Sequence, residues 1–126
     1  MSTQTNSAAD CIFCKIIQGV IPALKIAENA EFVCIPDARP QAKKHLLVMP
    51  RHHVASLEAV FAPGSDPAQG SGVVGRLFAF ADQVARQEGL LPAGFRSVIN
   101  TGKEGGQTVF HLHLHLLGGE SLDEAL

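Results

Sequence analysis

The sequence lacks the features that mark several large classes of protein. It contains no tryptophan or tyrosine, only 17% of its 126 residues are charged, and its formal net charge is -2. The lysines and arginines are scattered, so no basic surface suited to a phosphate polymer is expected, and nucleic acid is not predicted as a partner. No apolar run approaches the roughly 20 residues of a membrane span, and residues 1–10 do not resemble a signal peptide. We therefore expect a cytoplasmic protein with no membrane partner.

Cysteine is also scarce, and its count is odd. Three cysteines cannot all pair with one another, so a disulfide framework is not expected. Cys11 and Cys14 are separated by two residues, a spacing typical of metal sites and redox dithiols. Cys34 lies in an apolar stretch and is predicted to be a small buried hydrophobe without a chemical role.

Apolar residues make up 46% of the chain, which indicates a folded protein and not a disordered one. The length suits a single domain. Residues 1–10 are polar and aperiodic and are predicted to form a flexible tail, whereas residues 11–126 are predicted to form the domain.

The order of apolar and turn-forming residues predicts a mixture of helices and hairpin strands. Helices are predicted at 12–18, 54–61 and 71–88, and strands at 24–27, 31–35, 45–49, 95–100 and 109–117. The helix at 71–88 has apolar residues at three- and four-residue spacing, with Ser71 as its expected cap and a loop at 62–72 before it. Because no strand-helix-strand unit repeats, the fold class is predicted to be α+β with an antiparallel sheet.

Half of the six histidines fall in one segment, at His111, His113 and His115. Side chains at alternate positions of an extended strand share one face, so these three imidazoles are predicted to line one surface. The leucines between them are predicted to enter the core. Burial of three histidines in register without a function would be costly, because each ring nitrogen needs a hydrogen-bond partner.

Two uses of this histidine face remain open on the residues alone. Neighbouring imidazoles could bind a metal ion, with Glu120 as a further ligand in a cupin-like centre. Alternatively, a histidine could attack phosphorus, because an imidazole whose ordinary pKa is about 6.5 is largely neutral at pH 7. The second use needs a phosphate-binding surround, which Gly105, Gly106 and Thr108 could supply through backbone N–H groups and a hydroxyl.

The run from Gly106 to Leu117 resembles the signature of the histidine triad family, in which three histidines alternate with apolar residues and two more apolar residues follow. Other stretches resemble the nucleotide-binding, Hint-like branch of that family, so the similarity covers Cys11 to Gly119. These stretches are 11–17, 21–22, 37–42, 45–50 and His53. The resemblance implies a homodimer. Each subunit would have a five-stranded antiparallel sheet and two main helices, with the two sheets joined across the interface.

The resemblance also implies a role for each residue of the site. His113 would attack the α-phosphorus of a nucleotide and carry a nucleotidyl intermediate that water later cleaves. His115 would contact phosphate oxygens, and Thr108 would face the phosphate or the leaving group. Asp37 would accept the ribose hydroxyls. The implied nucleotide-binding residues are Asp37, Ala38, Asn100, Gly106, Gln107, Thr108, His113 and His115.

Some members of this family carry zinc on a Cys-x-x-Cys pair, a histidine after the third strand and the first histidine of the triad. The matching residues here are Cys11, Cys14, His53 and His111. Four protein ligands leave no open position, as in a structural zinc site. His52 is an alternative to its neighbour His53, and His45 is interpreted as a support of the pocket.

The leading hypothesis is a nucleotide hydrolase or nucleoside phosphoramidase. It would release a purine nucleoside monophosphate from conjugates of AMP or GMP. One alternative is a dinucleoside polyphosphate hydrolase or nucleotidyltransferase, and another is a non-enzymatic nucleotide-binding adaptor.

Overall fold

The centre of the protein is a five-stranded antiparallel sheet in the computed structural model, which describes residues 7–124. The strands are β1 (Ala27–Glu28), β2 (Phe32–Pro36), β3 (Lys44–Pro50), β4 (Phe95–Val98) and β5 (Leu114–Gly118), in the spatial order β1-β2-β3-β5-β4. The helices among the described residues are α1 (Ile12–Ile17), α2 (Leu57–Val60) and α3 (Pro67–Gln87), with a 3-10 helix at Ala8–Asp10. The α+β class and the five-stranded sheet are thus confirmed. The expectation of two main helices is wrong, because α3 is the only long helix among these residues.

The strands β2 and β3 are buried on both faces of the sheet, since successive residues point to opposite sides and nearly all of them are buried. In β2, Phe32 and Cys34 pack with the apolar side of α3, while Val33 and Ile35 pack with α1 and its neighbours. Cys34 is fully buried, as predicted. The N-terminal segment therefore covers the face of the sheet opposite to α3.

The long helix α3 begins at Pro67, inside the segment predicted to be a loop. Asp66 caps it by accepting an amide hydrogen bond of 3.0 Å, and Pro67 occupies the first turn, where its missing N–H costs no helical hydrogen bond. Gly70 obscures this start in the sequence, because glycine has low helix propensity. In the fold, a Cβ at Gly70 would lie 3.0 Å from the ring of Phe61. The predicted cap, Ser71, is therefore an interior helical residue.

The histidine-bearing strand is also shorter than predicted, since β5 begins only at Leu114. Val48 pairs with Leu114, so the next step of the ladder would place Pro50 opposite Leu112. Proline has no N–H to donate, and the ladder ends there. The amide of Leu112 instead donates to the carbonyl of Val54 at 2.7 Å. The segment before β5 keeps the alternating directions of a strand without its hydrogen bonds to β3.

The remaining differences lie at the ends of elements. Of the strand predicted at 24–27 only the short β1 forms, and α2 occupies four residues of the helix predicted at 54–61. Residues 1–6 of the predicted tail lie outside the described residues, and Ser7 caps the 3-10 helix. The division into a tail at 1–10 and a domain at 11–126 stays a prediction. Between residues 7 and 124, no helix is both long and apolar enough to cross a bilayer.

Candidate active site and metal centre

The three histidines of the triad point to the side of the sheet that α1 covers. The ring of Phe13, in α1, meets the rings of His111 and His113 edge-on, with centroid separations of 6.0 and 5.1 Å. The rings of His113 and His115 lie 5.0 Å apart. The leucines between the histidines are buried in the core on the α3 side: Leu112, Leu114 and Leu116. The sequence prediction of an imidazole face backed by an apolar face is therefore confirmed.

His113 is held in the tautomer that leaves Nε2 unprotonated. Its Nδ1 lies 2.7 Å from the carbonyl oxygen of His111. A carbonyl can only accept, so Nδ1 carries the proton and Nε2 carries the lone pair. Burial lowers the pKa of His113, against the opposing effects of that hydrogen bond and of the nearby Asp37 carboxylate. The ring is therefore neutral at pH 7, which is the protonation state that a nucleophile needs.

His115 is held by hydrogen bonds that reach back to the loop before β3. The amide of Gln41 donates to Nδ1 of His45 at 2.9 Å, so the proton of His45 is on Nε2. That Nε2 lies 2.9 Å from Nδ1 of His115 and 3.3 Å from Oδ2 of Asp37. His115 consequently accepts at Nδ1 and carries its own proton on Nε2. Burial is the larger cause, and the neighbouring imidazoles the smaller one, that lower the pKa of His115 to about 4. The ring is therefore neutral and can donate a hydrogen bond from Nε2.

The glycine-rich turn upstream of the triad is a closed loop. A Cβ at Gly105 would lie 2.3 Å from the carbonyl oxygen of Thr101, so only glycine fits. Gly106 adopts a φ of +83°, which glycine reaches without strain. Asn100 donates from Nδ2 to the carbonyl of Gly105 at 2.8 Å. The loop is therefore fixed by backbone geometry and by the side chain of Asn100.

Gln107 ties this loop to the core. Its buried side chain accepts from the amide of Gly102 at 2.9 Å and donates to the carbonyls of Ala55 and Val109 at 2.7 and 3.0 Å. The amides of Gly106 and Gln107 also bond inside the loop, at 3.1 and 3.0 Å. Their contact with a phosphate stays a prediction.

Three of the residues predicted for the nucleotide differ in their surroundings. Asp37 accepts the amide of Arg39 at Oδ1 (2.8 Å), and its Oδ2 lies 3.9 Å from Nδ1 of His115. Thr108 and Ala38 are exposed. The fold therefore brings the predicted ribose acceptor to the imidazole row and leaves Thr108 and Ala38 accessible.

A second group of side chains, Cys11, Cys14, His53 and His111, meets at the first histidine of the triad. Their potential ligand atoms all lie within 4.8 Å of one another. The sulfurs of Cys11 and Cys14 are 3.4 and 3.5 Å from Nδ1 of His111, and Cys14 Sγ is 3.4 Å from Nδ1 of His53. The exposed His52 does not belong to the group. Two thiols and two imidazoles are the donors that zinc takes in four-coordinate structural sites.

The protonation of His111 also suits a metal ligand. Its Nε2 donates to the carbonyl of Pro50 at 2.8 Å, so the lone pair is on Nδ1 and faces the thiols. Burial lowers the pKa of His111 to about 4, which keeps the ring neutral. In the metal-free chain, burial and the Cys11 thiol raise the pKa of Cys14 to about 11. A metal ion bound there would displace that thiol proton.

Asp37, His45 and His115 also lie within 4.8 Å of one another, but their hydrogen bonds disfavour a metal ion. A metal at Nε2 of His45 would require the ring proton on Nδ1, where it would face the amide proton of Gln41. Glu120, the further ligand of a cupin-like centre, accepts a backbone amide at 2.6 Å and joins neither group. The described residues thus favour one metal centre beside one hydrogen-bonded row of imidazoles.

The family model of the HIT domain matches residues 18–122 of the chain. The chain belongs to the HIT domain, or histidine triad, family. Among its curated relatives, the purine nucleoside phosphoramidase of Escherichia coli K12 is 34% identical over 119 residues, which cover 94% of this chain and 95% of the relative. The resemblance read from the sequence, including the Hint-like branch, is therefore confirmed.

Solved structures extend the HIT likeness over most of the chain. A HIT family hydrolase from Legionella pneumophila superposes with a TM-score of 0.81 at 38% identity, and covers 90% of this chain and 96% of its own. A zinc-bound histidine triad protein from Mycobacterium smegmatis has a TM-score of 0.74 at 34% identity, with coverages of 94% and 81%. This chain therefore shares its fold with HIT hydrolases.

Sequence reasoning misses two parts of this HIT site. Phe13 contacts both His111 and His113, and the Gln41 amide sets the tautomer of His45. A signal for Phe13 exists, because it stands between the two predicted cysteine ligands. Gln41 has no such signal, since any non-proline residue at that loop position offers the same backbone N–H.

Proposed function

We propose that this HIT protein is a nucleotide hydrolase, with nucleoside phosphoramidates as its main substrates and a purine nucleoside monophosphate as its product. The observation that supports this most directly is the neutral His113 with its lone pair on Nε2, fixed by the carbonyl of His111. The E. coli relative, named a purine nucleoside phosphoramidase, supports the choice of bond and base.

The reaction would proceed in two displacements at phosphorus. His113 Nε2 forms a bond to the α-phosphorus, and the bond from phosphorus to the leaving nitrogen or oxygen breaks. The leaving group keeps the electron pair of that bond and takes up a proton. Water then attacks phosphorus and gives up a proton, which balances the proton taken up by the leaving group. The bond to Nε2 breaks, and the lone pair returns to His113 as the monophosphate leaves.

The neighbouring residues would position the nucleotide for this attack. His115 carries its proton on Nε2 and would donate it to a phosphate oxygen, since its Nδ1 is already paired with His45. Thr108 is exposed and would offer its hydroxyl to the phosphate or the leaving group. Asp37 is already fixed by the amide of Arg39 and would accept the ribose hydroxyls. Ala38, Asn100, Gly106 and Gln107 would complete the pocket.

Replacement of the nucleophile tests this function. His113→Ala should lower kcat by several orders of magnitude while AMP binding is largely retained, because a covalent route is lost. The matched control is His52→Ala, since His52 is an exposed histidine outside both side-chain groups. Substantial turnover by His113→Ala would contradict the proposal.

A substrate panel separates the remaining alternatives. Wild-type protein is assayed on an adenosine phosphoramidate, a diadenosine polyphosphate and free AMP. Fastest release of AMP from the phosphoramidate is expected. Preference for the diadenosine polyphosphate would instead favour the polyphosphate hydrolase, and binding of AMP without turnover of any substrate would favour the adaptor.

We propose further that Cys11, Cys14, His53 and His111 hold one zinc ion. The buried thiols, the neutral His111 with Nδ1 directed at them, and the zinc-bound M. smegmatis relative support this assignment. Zinc there would cross-link three segments of the chain and have no open position for substrate, so its contribution would be structural.

Elemental analysis tests the metal centre independently of activity. Protein purified without chelator should contain about one zinc per chain, as a single four-ligand site requires. The double variant Cys11→Ser, Cys14→Ser should lose the zinc, and His52→Ala should retain it. A zinc-free preparation with full thermal stability would contradict the assignment and leave the proposed role of His113 intact.

We also propose that two copies of the chain form a homodimer in which their sheets join across the interface. β4 is an edge strand, paired with β5 on one side and unpaired on the other within the described chain. Phe78 of α3 is 44% exposed. Open strand edges and exposed aromatic side chains are features that subunit interfaces cover. Sedimentation equilibrium should give the mass of two chains, and a stable monomer at micromolar concentration would contradict the dimer.

A further inference from the structure

We infer that Phe13 is a positioning residue that links the zinc-binding thiols to the catalytic nucleophile. Phe13 stands in α1 between Cys11 and Cys14, and its ring meets that of His113 at 5.1 Å with an interplanar angle of 83°. The proposed function supplies the reaction in which this link would matter. Phe13 lies outside the signature that runs from Gly106 to Leu117.

The contact lies in a closed part of the molecule. Phe13 and His113 are both 7% exposed, so the two rings pack without intervening bulk solvent. Phe13 also meets the ring of His111 at 6.0 Å, with an interplanar angle of 76°. One aromatic ring therefore touches both a predicted metal ligand and the nucleophile. Edge-to-face contacts of this kind have preferred geometries, so a shift of one ring is transmitted to the other.

His113 needs a second constraint besides its hydrogen bond. The bond from Nδ1 to the carbonyl of His111 fixes one atom of the ring but leaves a tilt about that atom. Nε2 is on the far side of the ring, so a tilt displaces the atom that would attack phosphorus. The ring of His115 lies 5.0 Å from that of His113, and the ring of Phe13, at 5.1 Å, meets it nearly at a right angle and opposes the tilt together with His115. A displacement of about 1 Å can cost roughly a hundredfold in rate, so the constraint is chemically significant.

The position of Phe13 depends on what anchors α1. This helix has only six residues, far fewer than an isolated helix needs for stability. The sulfur of Cys11 accepts the amide of Cys14 at 3.4 Å, so a potential metal ligand also caps the helix. Packing against the sheet holds α1 in addition. A metal bound by the two thiols would fix the start of α1 and, with it, the ring of Phe13.

This link makes a prediction that a purely structural role does not. Phe13→Leu keeps an apolar side chain but removes the flat ring beside His113. The rate of nucleotidyl transfer in single-turnover assays should fall about tenfold, as expected for a displacement of a fraction of an ångström. KM should stay within about twofold, because ground-state binding is not the property that is lost. Zinc content should remain that of the wild type.

Phe32→Leu is the matched control. Phe32 is 1% exposed and packs on the other face of the sheet, against the α3 side. The same substitution there should lower thermal stability without lowering the transfer rate. Equal losses of rate in Phe13→Leu and Phe32→Leu would show that general destabilisation is responsible and would overturn the inference. A raised KM with an unchanged rate for Phe13→Leu would overturn it as well, because it would place Phe13 in substrate binding.

A double-mutant cycle tests whether the thiols act through this ring. Cys14→Ser and Phe13→Leu are made singly and together, and the transfer rate of each variant is measured. If the thiols act through Phe13, the double variant should be no slower than the slower single variant. Losses that multiply would show two independent effects and overturn the link.

NMR of the histidine rings gives a readout that needs no turnover. The Nδ1–H of His113, bonded to the carbonyl of His111, should give a sharp signal in zinc-loaded wild type and in Phe32→Leu. It should broaden in Phe13→Leu and after zinc removal. An unchanged signal in Phe13→Leu would overturn the inference even if the protein hydrolyses nucleotides. A broadened signal in a protein without hydrolase activity would refute the proposed function and leave the link standing.

Discussion

Replacement of Gln107 by alanine should destabilise the protein by about 2–4 kcal/mol. The buried Gln107 side chain makes three hydrogen bonds of 2.7–3.0 Å, to Gly102, Ala55 and Val109. A neutral hydrogen bond contributes about 0.5–1.5 kcal/mol net, and the alanine variant leaves three half-buried backbone groups without this partner. Three such losses give about 1.5–4.5 kcal/mol, and the expected change is the middle part of that range. Alanine also fills less space, which prevents any compensation by packing.

The effect should appear in the site as well as in stability. Gln107 connects the loop before the triad to the segment that contains Ala55, so its removal frees the loop. We expect a raised KM with a smaller change in kcat, since the loop would contact the bound phosphate and does not supply the nucleophile.

The change in the free energy of unfolding is measured by urea unfolding, with the protein concentration and the zinc loading held constant. The control is Gln87→Ala, because Gln87 is exposed and its side chain makes one long hydrogen bond of 3.4 Å, to the carbonyl of Ile26. The control should change stability by no more than about 0.5 kcal/mol. A loss below about 1 kcal/mol for Gln107→Ala, with an unchanged slope of unfolding against urea, would refute the reasoning from these hydrogen bonds.

Three further outcomes are expected. Asp37→Asn should weaken the binding of AMP far more than that of 2′-deoxy-AMP, and equal losses in a calorimetric titration would rule out the ribose role. The free energy of unfolding should decrease as the pH falls from about 6.5 towards 4, because the pKa of His115 is lowered to about 4 and the unfolded chain binds the proton first. His115→Asn should remove part of that decrease in urea titrations at successive pH values, since the pKa of His111 is also lowered to about 4. Chelation of zinc should lower the melting temperature before it lowers kcat, and a loss of activity at constant melting temperature would contradict a structural metal.

The arrangement of the triad was predictable because it depends on a local property. Alternation with a period of two sends His111, His113 and His115 to one side whether or not the segment is hydrogen-bonded as a strand. The pairing of Cys11 and Cys14 with distant histidines came from resemblance to a family, and the fold brings the four together. Spacing alone identified the pair of thiols but not the partners.

Other features depend on backbone hydrogen bonds, distant or local, that apolar spacing does not encode. The start of β5 is decided by Pro50 on β3, which has no N–H for the next step of the ladder. The start of α3 is decided by the capping side chain of Asp66, although Gly70 weakens the local helix signal. Neither effect is visible in a window of apolar periodicity, so that periodicity misplaces both boundaries.

The direction of a few protons separates the chemistry of two similar groups of side chains. His45 and His115 are diagonal neighbours on one face, since β3 pairs with β5 so that Leu47 opposes His115. The amide of Gln41 places the His45 proton between those two rings, and leaves the Nε2–H of His115 as the donor that the proposed function assigns to the substrate. At His111 the carbonyl of Pro50 accepts a hydrogen bond from Nε2–H. The lone pair is therefore on Nδ1, which faces the two thiols. Both groups bring imidazoles within 4.8 Å of neighbouring ligand atoms. The backbone partner of each ring decides which nitrogen keeps its lone pair, and with it which group would accept a metal and which would donate to a phosphate.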